Sequence, residues 1–214
     1  MRIRSLITTI FCLSLILLWG IQAEAFGLGY NVPLAVGSAD WDNDTYQNEQ
    51  DYDTEHVGFG LVIDTNLAGD HVFNYRFTLS YQRVNHEKKI SFWESGAERS
   101  ITLEKEFEGY EFGHTFGIGV LRTPIIRFWL GPEIRFARYE IEEQFEDDDN
   151  FYGFGIGPTF GLNINPGSLI TLSVKTGYMM MSYIGDELND EELLFLNFGL
   201  IFRIRDSFQN PHQH

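Results

Sequence analysis

The chain is short of cysteine and of positive charge. Its one cysteine, Cys12, lies in an apolar stretch near the N-terminus, so the sequence after it has no disulfide, no thiol nucleophile and no cysteine metal ligand. The 31 Asp and Glu residues outnumber the 15 Lys and Arg residues, and the formal net charge is -16. Nucleic-acid binding depends on cationic side chains that neutralise phosphates. The composition therefore argues against nucleic acid as a partner.

Long apolar runs are also missing after residue 25. No later segment has the ~20 apolar residues in succession that a membrane-spanning helix requires. The only other structure that satisfies its backbone groups inside a bilayer is a closed β-barrel. If the chain crosses a membrane, it must do so as such a barrel.

The N-terminal residues have the pattern of an export leader. Arg2 and Arg4 are followed by an apolar stretch over 6–19 and then by the small-x-small pattern Ala23-Glu24-Ala25. We predict a signal peptide over 1–25 that is cleaved before Phe26.

The rest of the chain alternates bulky apolar residues with small or polar ones. Successive side chains of a strand point to opposite faces, so each alternating run predicts a strand with one apolar face. In the third run the apolar set is Phe73, Tyr75, Phe77, Leu79 and Tyr81. The eight runs cover 27–39, 56–65, 72–84, 107–121, 126–138, 151–164, 169–182 and 193–205.

The connectors between these runs alternate in length. Tight links cover 66–70, 122–125 and 165–168, and longer polar links cover 40–55, 85–106, 139–150 and 183–192. Short turns at one end and long loops at the other are typical of transmembrane barrels. We predict an all-β fold, an eight-stranded antiparallel up-and-down transmembrane β-barrel over 26–205.

Three features favour an apolar face that points outward, to lipid. An eight-stranded barrel is only just wide enough to hold side chains, so the aromatic bulk fits better outside. The opposite face is rich in glycine, which leaves room for long polar side chains. Tyr81, Tyr110, Tyr152 and Tyr178 lie on the apolar face near the loop ends, where tyrosine settles at lipid headgroups. The alternative is a soluble sandwich or lipocalin-like barrel with these rings in its core.

Charges of both signs share the glycine-rich face. Unpaired buried charges are costly, so we expect a network of salt bridges that plugs the lumen, with Glu111 and Arg135 on adjacent strands as the leading pair. The alternative is a charge-lined pore, for which eight strands leave little bore. The predicted lumen network comprises Arg76, Glu111, Arg127, Glu133, Arg135, Lys175 and Arg203.

The last strand carries a family resemblance. Asn197, Gly199, Phe202 and Ile204 match the terminal assembly signal of Gram-negative outer-membrane barrels. With the leader and the alternating connectors, the chain resembles the small eight-stranded outer-membrane β-barrel proteins over nearly its whole length. The resemblance implies a place in the cell outer membrane and the outer-membrane assembly machinery as a partner. Residues 206–214 continue past the usual end and are predicted to form a periplasmic C-terminal tail.

The predicted long loops carry most of the acidity. Carboxylate clusters attract divalent cations, so we expect contact with outer-membrane lipid and lipopolysaccharide through such ions. Asp40, Asp42 and Asp44 begin like a calcium loop, but Thr45 replaces the required glycine and Asp51 the closing glutamate. We therefore predict no specific metal site and no cofactor.

Catalysis has little support in the sequence. Lipid A deacylases of similar architecture use a His-x-Ser pair, and no histidine here is followed by serine two residues later. His114 lies on the apolar face between Phe112 and Phe116. We predict a non-enzymatic barrel that presents acidic extracellular loops, with a role in envelope integrity or surface interaction. The alternative function is a narrow channel for ions or small solutes.

Overall fold

The protein is a single closed barrel of eight antiparallel strands. Its structure, a computed structural model, describes residues 26–41, 50–65, 72–94, 97–141, 150–167, 169–184 and 188–204. Each strand pairs with the next in sequence and β8 pairs with β1, which closes the barrel. The strands are β1 Phe26–Trp41, β2 Gln50–Asp64, β3 Phe73–Glu94, β4 Ala97–Arg122, β5 Ile126–Ile141, β6 Asn150–Ile164, β7 Ile170–Ile184 and β8 Leu188–Ile204.

The predicted fold class is confirmed, and so is the direction of the apolar face. Phe59 and Val120 are 58% and 61% exposed on the outer surface, whereas Glu133 and Lys175 are 0% and 1% exposed inside. Side chains of β6 alternate between exposed and buried over most of its length. The barrel is therefore apolar outside and largely polar inside, which is the reverse of a soluble protein. Among the described residues, no helix is long and apolar enough to cross a membrane.

The outward apolar belt matches the thickness of a bilayer. It extends over 28–36 on β1 and 110–120 on β4, close to the ~9–11 residues that a tilted spanning strand needs. Tyr81 and Tyr110 sit opposite each other at its outer edge, with ring centroids 5.3 Å apart. These exposed rings mark the boundary between acyl chains and headgroups.

Glycine on the inner face makes room for large buried rings. Trp129 on β5 is 0% exposed, and Gly161 on β6 lies directly opposite it. A Cβ atom at Gly161 would overlap the six-membered ring of the Trp129 indole. The indole of Trp129 therefore occupies the space that Gly161, on the adjacent strand, leaves empty by having no side chain.

The prediction of long loops at the outer end is wrong in extent. Most of 85–106, predicted as a loop, forms the upper halves of β3 and β4, and β2 and β8 begin at Gln50 and Leu188. Above the lipid neither face of a strand contacts acyl chains, so the alternation of apolar residues stops there. The backbone pairing between the strands continues beyond that level. What remains of the predicted loops, like the leader and the C-terminal tail, falls outside the described residues.

Candidate functional site: the barrel interior and its outer mouth

An ionic network spans the middle of the lumen. Lys175 on β7 donates from Nζ to Oε2 of Glu133 at 2.6 Å, and Arg135 donates from Nε to Oε1 of the same carboxylate at 3.0 Å. Arg135 Nη1 also lies 3.4 Å from Oε2 of Glu111 on β4. Thr115 donates to Glu133 at 2.9 Å. The network joins three strands and satisfies each of its buried carboxylates with several donors.

A second ionic cluster lies toward the end of the barrel at which β2 joins β3. Arg76 on β3 donates to Oδ2 of Asp64 through Nε at 2.8 Å and Nη2 at 2.6 Å. The same guanidinium donates to Ser173 at 2.8 Å and Asn163 at 3.0 Å, and its Cζ lies 5.1 Å from the centroid of Trp129. Sequence reasoning did not include Asp64 in the network. Asp64 lies an even number of residues from Gly60 and Val62 and therefore faces inward with them. This spacing was the sequence signal that could have placed Asp64 in the lumen.

A third cluster centres on Glu191 near the outer mouth. Its Oε1 accepts hydrogen bonds from Thr54 at 2.8 Å, His56 at 2.8 Å and His86 at 3.2 Å, and its Oε2 accepts one from Tyr183 at 2.6 Å. These donors come from β2, β3 and β7 and converge on one carboxylate of β8. Sequence reasoning placed Glu191 in a loop, because the apolar alternation of β8 begins only at Leu194.

The geometry fixes the proton on His86. Trp41 donates its indole N–H to Nδ1 of His86 at 2.9 Å, and an indole nitrogen can only donate. Nδ1 therefore carries no proton, and Nε2 carries the proton that it donates to Glu191. The ligand atoms of His56, His86 and Glu191 lie within 4.8 Å of one another, as a metal site would require. A metal would need the lone pair of His86 Nε2, so this arrangement is a hydrogen-bonded cluster.

Aromatic rings close the lumen above this cluster. The Trp41 ring stacks on Phe107 with centroids 5.5 Å apart and meets Phe151 and Tyr52 at 6.0 Å. Lys105 places its Nζ 3.5 Å from the Trp41 centroid, on the outer part of β4. We call Trp41, Tyr52, Phe107 and Phe151 the aromatic plug. The alternation in the sequence indicates that these four side chains face inward, but it does not show that they contact one another.

The remaining members of the predicted lumen network lie apart from its centre. Arg127 is buried, and its Nη2 lies 3.4 Å from the Val72 carbonyl oxygen. Arg203 is only half-buried at the end of β8 and donates to the carbonyls of Gly167 and Ile170. The membership of Arg203 in the lumen network stays a prediction.

The residues of the predicted assembly signal lie on β8, whose pairing with β1 closes the barrel. Phe202 lies opposite Leu28, and Ile204 lies opposite Phe26. Phe202 is 45% exposed on the outer surface, whereas Asn197 is buried inside, and Gly199 is half-buried between them. Recognition of these residues by the assembly machinery remains a prediction.

The outer rim of β8, β1 and β2 has carboxylates at directly opposite positions. Asp40 on β1 pairs in register with Asp51 on β2 and with Asp190 on β8. Like charges opposite each other destabilise a sheet. The rim of β3 and β4 also has an ion pair, between Arg83 and Glu106 at 2.5 Å. Carboxylates are directly opposite on these strands and their neighbours too, where Glu87 pairs in register with Asp53 and Glu104, and Glu108 with Glu140.

The chain is similar to a known protein in its architecture but not in its sequence. No family model matches the chain, and no curated protein matches it in sequence. The outer membrane protein OprG from Pseudomonas aeruginosa is 10% identical, with a TM-score of 0.52 over 87% of this chain and 99% of that one. Neisserial surface protein A is 14% identical, with a TM-score of 0.48 over 85% and 99%. Ail, the attachment invasion locus protein of Yersinia pestis, is 14% identical, with a TM-score of 0.41 over 84% and 97%.

The class of the protein is therefore defined by its fold. It is an eight-stranded antiparallel up-and-down β-barrel of the outer-membrane type. The likeness to OprG extends to the fold alone, since few residues are shared. The described interior of this chain contains three ionic clusters and an aromatic plug.

Proposed function

We propose that the protein is an integral barrel of the cell outer membrane that acts as a closed, rigid platform for its outer surface, in envelope integrity or surface interaction. One observation carries this proposal: three buried ionic clusters and a buried aromatic plug occupy the described interior of the barrel. The Arg76 cluster, the Glu133 network, the Glu191 cluster and the aromatic plug follow one another along the barrel axis. A lumen packed with paired side chains supports rigidity rather than transport.

The filled interior also argues for a non-catalytic role. The residues that resemble catalytic groups are His56, His86 and Glu191, which are 3%, 1% and 1% exposed. The aromatic plug separates them from the outside, and their hydrogen bonds are directed at one another. A substrate would have to displace Trp41 to reach them.

The acidic rim supports contact with lipopolysaccharide through divalent cations. Asp51, Asp40 and Asp190 form a row of carboxylates on three adjacent strands, just above the apolar belt. Carboxylate oxygens are the ligands that Ca²⁺ and Mg²⁺ prefer. Bridging ions would offset the repulsion within the row and link it to phosphates of the surrounding lipid.

The closing strand supports delivery by the outer-membrane assembly machinery. Gly199, Phe202 and Ile204 lie in the last part of β8, the strand that pairs with β1. Before the barrel closes, β8 is not yet paired with β1. The assembly machinery can therefore bind this strand first, and the strand can pair with β1 afterwards.

Two measurements on the refolded mature chain test this proposal. A barrel of the outer membrane requires detergent for extraction and migrates differently on a gel before and after boiling. In planar bilayers we expect no reproducible single-channel steps. Steps that change on Arg76→Gln or Glu133→Gln would instead establish the narrow channel. A water-soluble protein whose migration is indifferent to boiling would remove the membrane assignment.

A further inference from the structure

The outer parts of β3 and β4 extend beyond the neighbouring strands and leave one edge of β3 open. The last pair between β2 and β3 is Asp53 with Glu87. Farther out, within the described residues, β3 pairs only with β4, and this pairing continues without a register shift to Glu94 with Ala97. We call the side of 88–94 that points away from β4 the open edge of β3.

The open edge presents backbone hydrogen-bonding groups. The Tyr75 carbonyl accepts a hydrogen bond from the Thr65 amide at 3.0 Å, so the backbone groups of Tyr75 point to the β2 side of β3. Along an antiparallel strand these groups alternate between the two sides, so those of every odd-numbered residue of β3 point to the β2 side. Lys89, Ser91 and Trp93 therefore direct their N–H and C=O groups at the open edge. An edge of this kind can add a strand from another polypeptide.

The sequence of the open edge is complementary to itself in the antiparallel direction. When two copies of 88–94 pair about Ser91, Ile90 lies opposite Phe92, and Lys89 lies opposite Trp93. An apolar pair and a lysine beside an indole ring are both favourable cross-strand neighbours. In a single copy Trp93 is 77% exposed and Phe92 38% exposed, so pairing would cover apolar surface. No pair in this register opposes two like charges.

The backbone groups match in the same register. A two-fold axis through the pair of Ser91 residues places the N–H and C=O groups of Lys89, Ser91 and Trp93 opposite those of the second copy. Each pair of this kind exchanges two hydrogen bonds, which gives about six in all. The contact uses the same surface on both copies, so it joins two copies and then is closed.

The outer edge of β4 lacks this complementarity. Within the described residues, 97–106 of β4 lie beyond its last pair with β5. Antiparallel pairing of two copies about either of the two middle residues of this segment would oppose Glu98 to another glutamate, Glu106 or Glu104. Like charges at directly opposite positions destabilise a sheet. The edge of β3 is therefore the one that fits a second copy.

We propose that the open edge of β3 binds the same edge of a second copy of this protein that is embedded in a facing membrane. The proposal rests on the outer-membrane placement proposed above, which puts this edge outside the cell. β3 runs outward from its barrel, and antiparallel pairing reverses the direction of the second β3. The second barrel therefore points back at the first, and the contact joins two cells.

Two copies side by side in one membrane do not fit the edge. Their β3 strands would both run outward and would have to pair in parallel. Parallel pairing would bring the adjacent Lys88 and Lys89 beside the same two lysines of the neighbour, and such like-charge contacts are destabilising.

Clustering of vesicles tests the proposal. The mature protein is refolded into liposomes, its boiling-dependent gel shift is checked, and clustering is measured by energy transfer between separately labelled vesicle populations. We expect clustering that Ser91→Pro lowers at least about tenfold, because proline removes the central N–H of the open edge. Ser100→Pro is the matched control. Ser100 lies opposite Ser91 on β4, and because the Gly119 amide bonds to Val72 of β3, the even-numbered residues of β4 point away from β3. The control should change clustering less than about twofold, since its N–H lies on the other edge.

A single cysteine at the two-fold axis tests the register. The mature chain has no cysteine of its own. Ser91→Cys places two cysteines directly opposite each other in a hydrogen-bonded pair, with Cα atoms about 5.5 Å apart, which is within the range of a disulfide. We expect oxidation to give a covalent dimer of Ser91→Cys under conditions in which Ser100→Cys stays monomeric.

Several outcomes would overturn the proposal. They are equal clustering by the two proline variants, equal dimer yields from the two cysteine variants, and no clustering by vesicles whose barrel shows the gel shift. Dimers of Ser91→Cys in vesicles that do not cluster would also overturn it, in favour of a contact within one membrane. A chain without the gel shift would refute the membrane placement first and this proposal with it.

Discussion

Trp41 donates its indole N–H to Nδ1 of His86 at 2.9 Å and thereby links β1 to β3 across the lumen. This bond has two consequences. It holds the aromatic plug above the Glu191 cluster, and it directs the proton of His86 to Nε2. The position of the aromatic plug and the position of the proton on His86 therefore depend on the same donor.

Replacing Trp41 with phenylalanine should therefore create a metal site. Trp41→Phe keeps a ring in the plug but frees His86 Nδ1 to hold the proton, so Nε2 becomes available beside His56 and Glu191. We expect Zn²⁺ to raise the thermal unfolding midpoint of Trp41→Phe but not of the wild type. Adding His56→Gln should abolish the effect. Stabilisation of the wild type by Zn²⁺ would contradict the assigned proton position.

The Lys175 and Glu133 pair should be strongly coupled. Lys175→Met leaves Glu133 with an uncompensated buried charge and should destabilise the barrel by about 3–5 kcal/mol in urea unfolding. Glu133→Gln in the same background should restore part of this loss, because both charges are then removed. The double-mutant cycle isolates the pair. Additive effects of the two substitutions would show that the pair does not interact.

Gly161 should tolerate no larger side chain. Gly161→Val places atoms where the Trp129 ring lies, and we expect loss of the folded species on an unboiled gel. Gly167→Ala is the matched control, since a Cβ there has nothing within 4 Å. Normal folding of Gly161→Val would mean that Trp129 can leave the lumen.

Removing the aromatic plug should open the outer mouth. Trp41→Ala combined with Phe107→Ala deletes the stacked pair with centroids 5.5 Å apart, while the ionic network below stays in place. We expect brief, small conductance steps in planar bilayers for the double variant and silence for the wild type. Equal silence from both would place the main barrier deeper, at Glu133 and Arg135.

The acidic row should govern binding to lipopolysaccharide. Asp40→Asn removes the central charge between Asp51 and Asp190 and should reduce Mg²⁺-dependent binding to lipopolysaccharide vesicles. Glu98→Gln, near the outer end of β4 and away from the row, makes the same charge change and should leave binding unchanged. Binding that survives EDTA would show that divalent ions do not mediate the contact.

The sequence by itself determined which face of each strand meets lipid. Alternation is local, so Phe59, Val120 and Phe202 could be assigned outward, and Glu133 and Lys175 inward, without a structure. It also placed Glu111 and Arg135 on adjacent strands. The outer ends of the strands were missed, because apolar alternation stops where lipid stops.

Only the tertiary structure decided which inward side chains meet. Arg76 contacts Asn163 and Ser173, and Glu191 contacts His56, although the strands involved are not all neighbours. Such contacts cross the lumen, so they depend on the closure of the barrel and on the stagger of its strands. No local pattern encodes that stagger, which is a property of all eight strand pairings together.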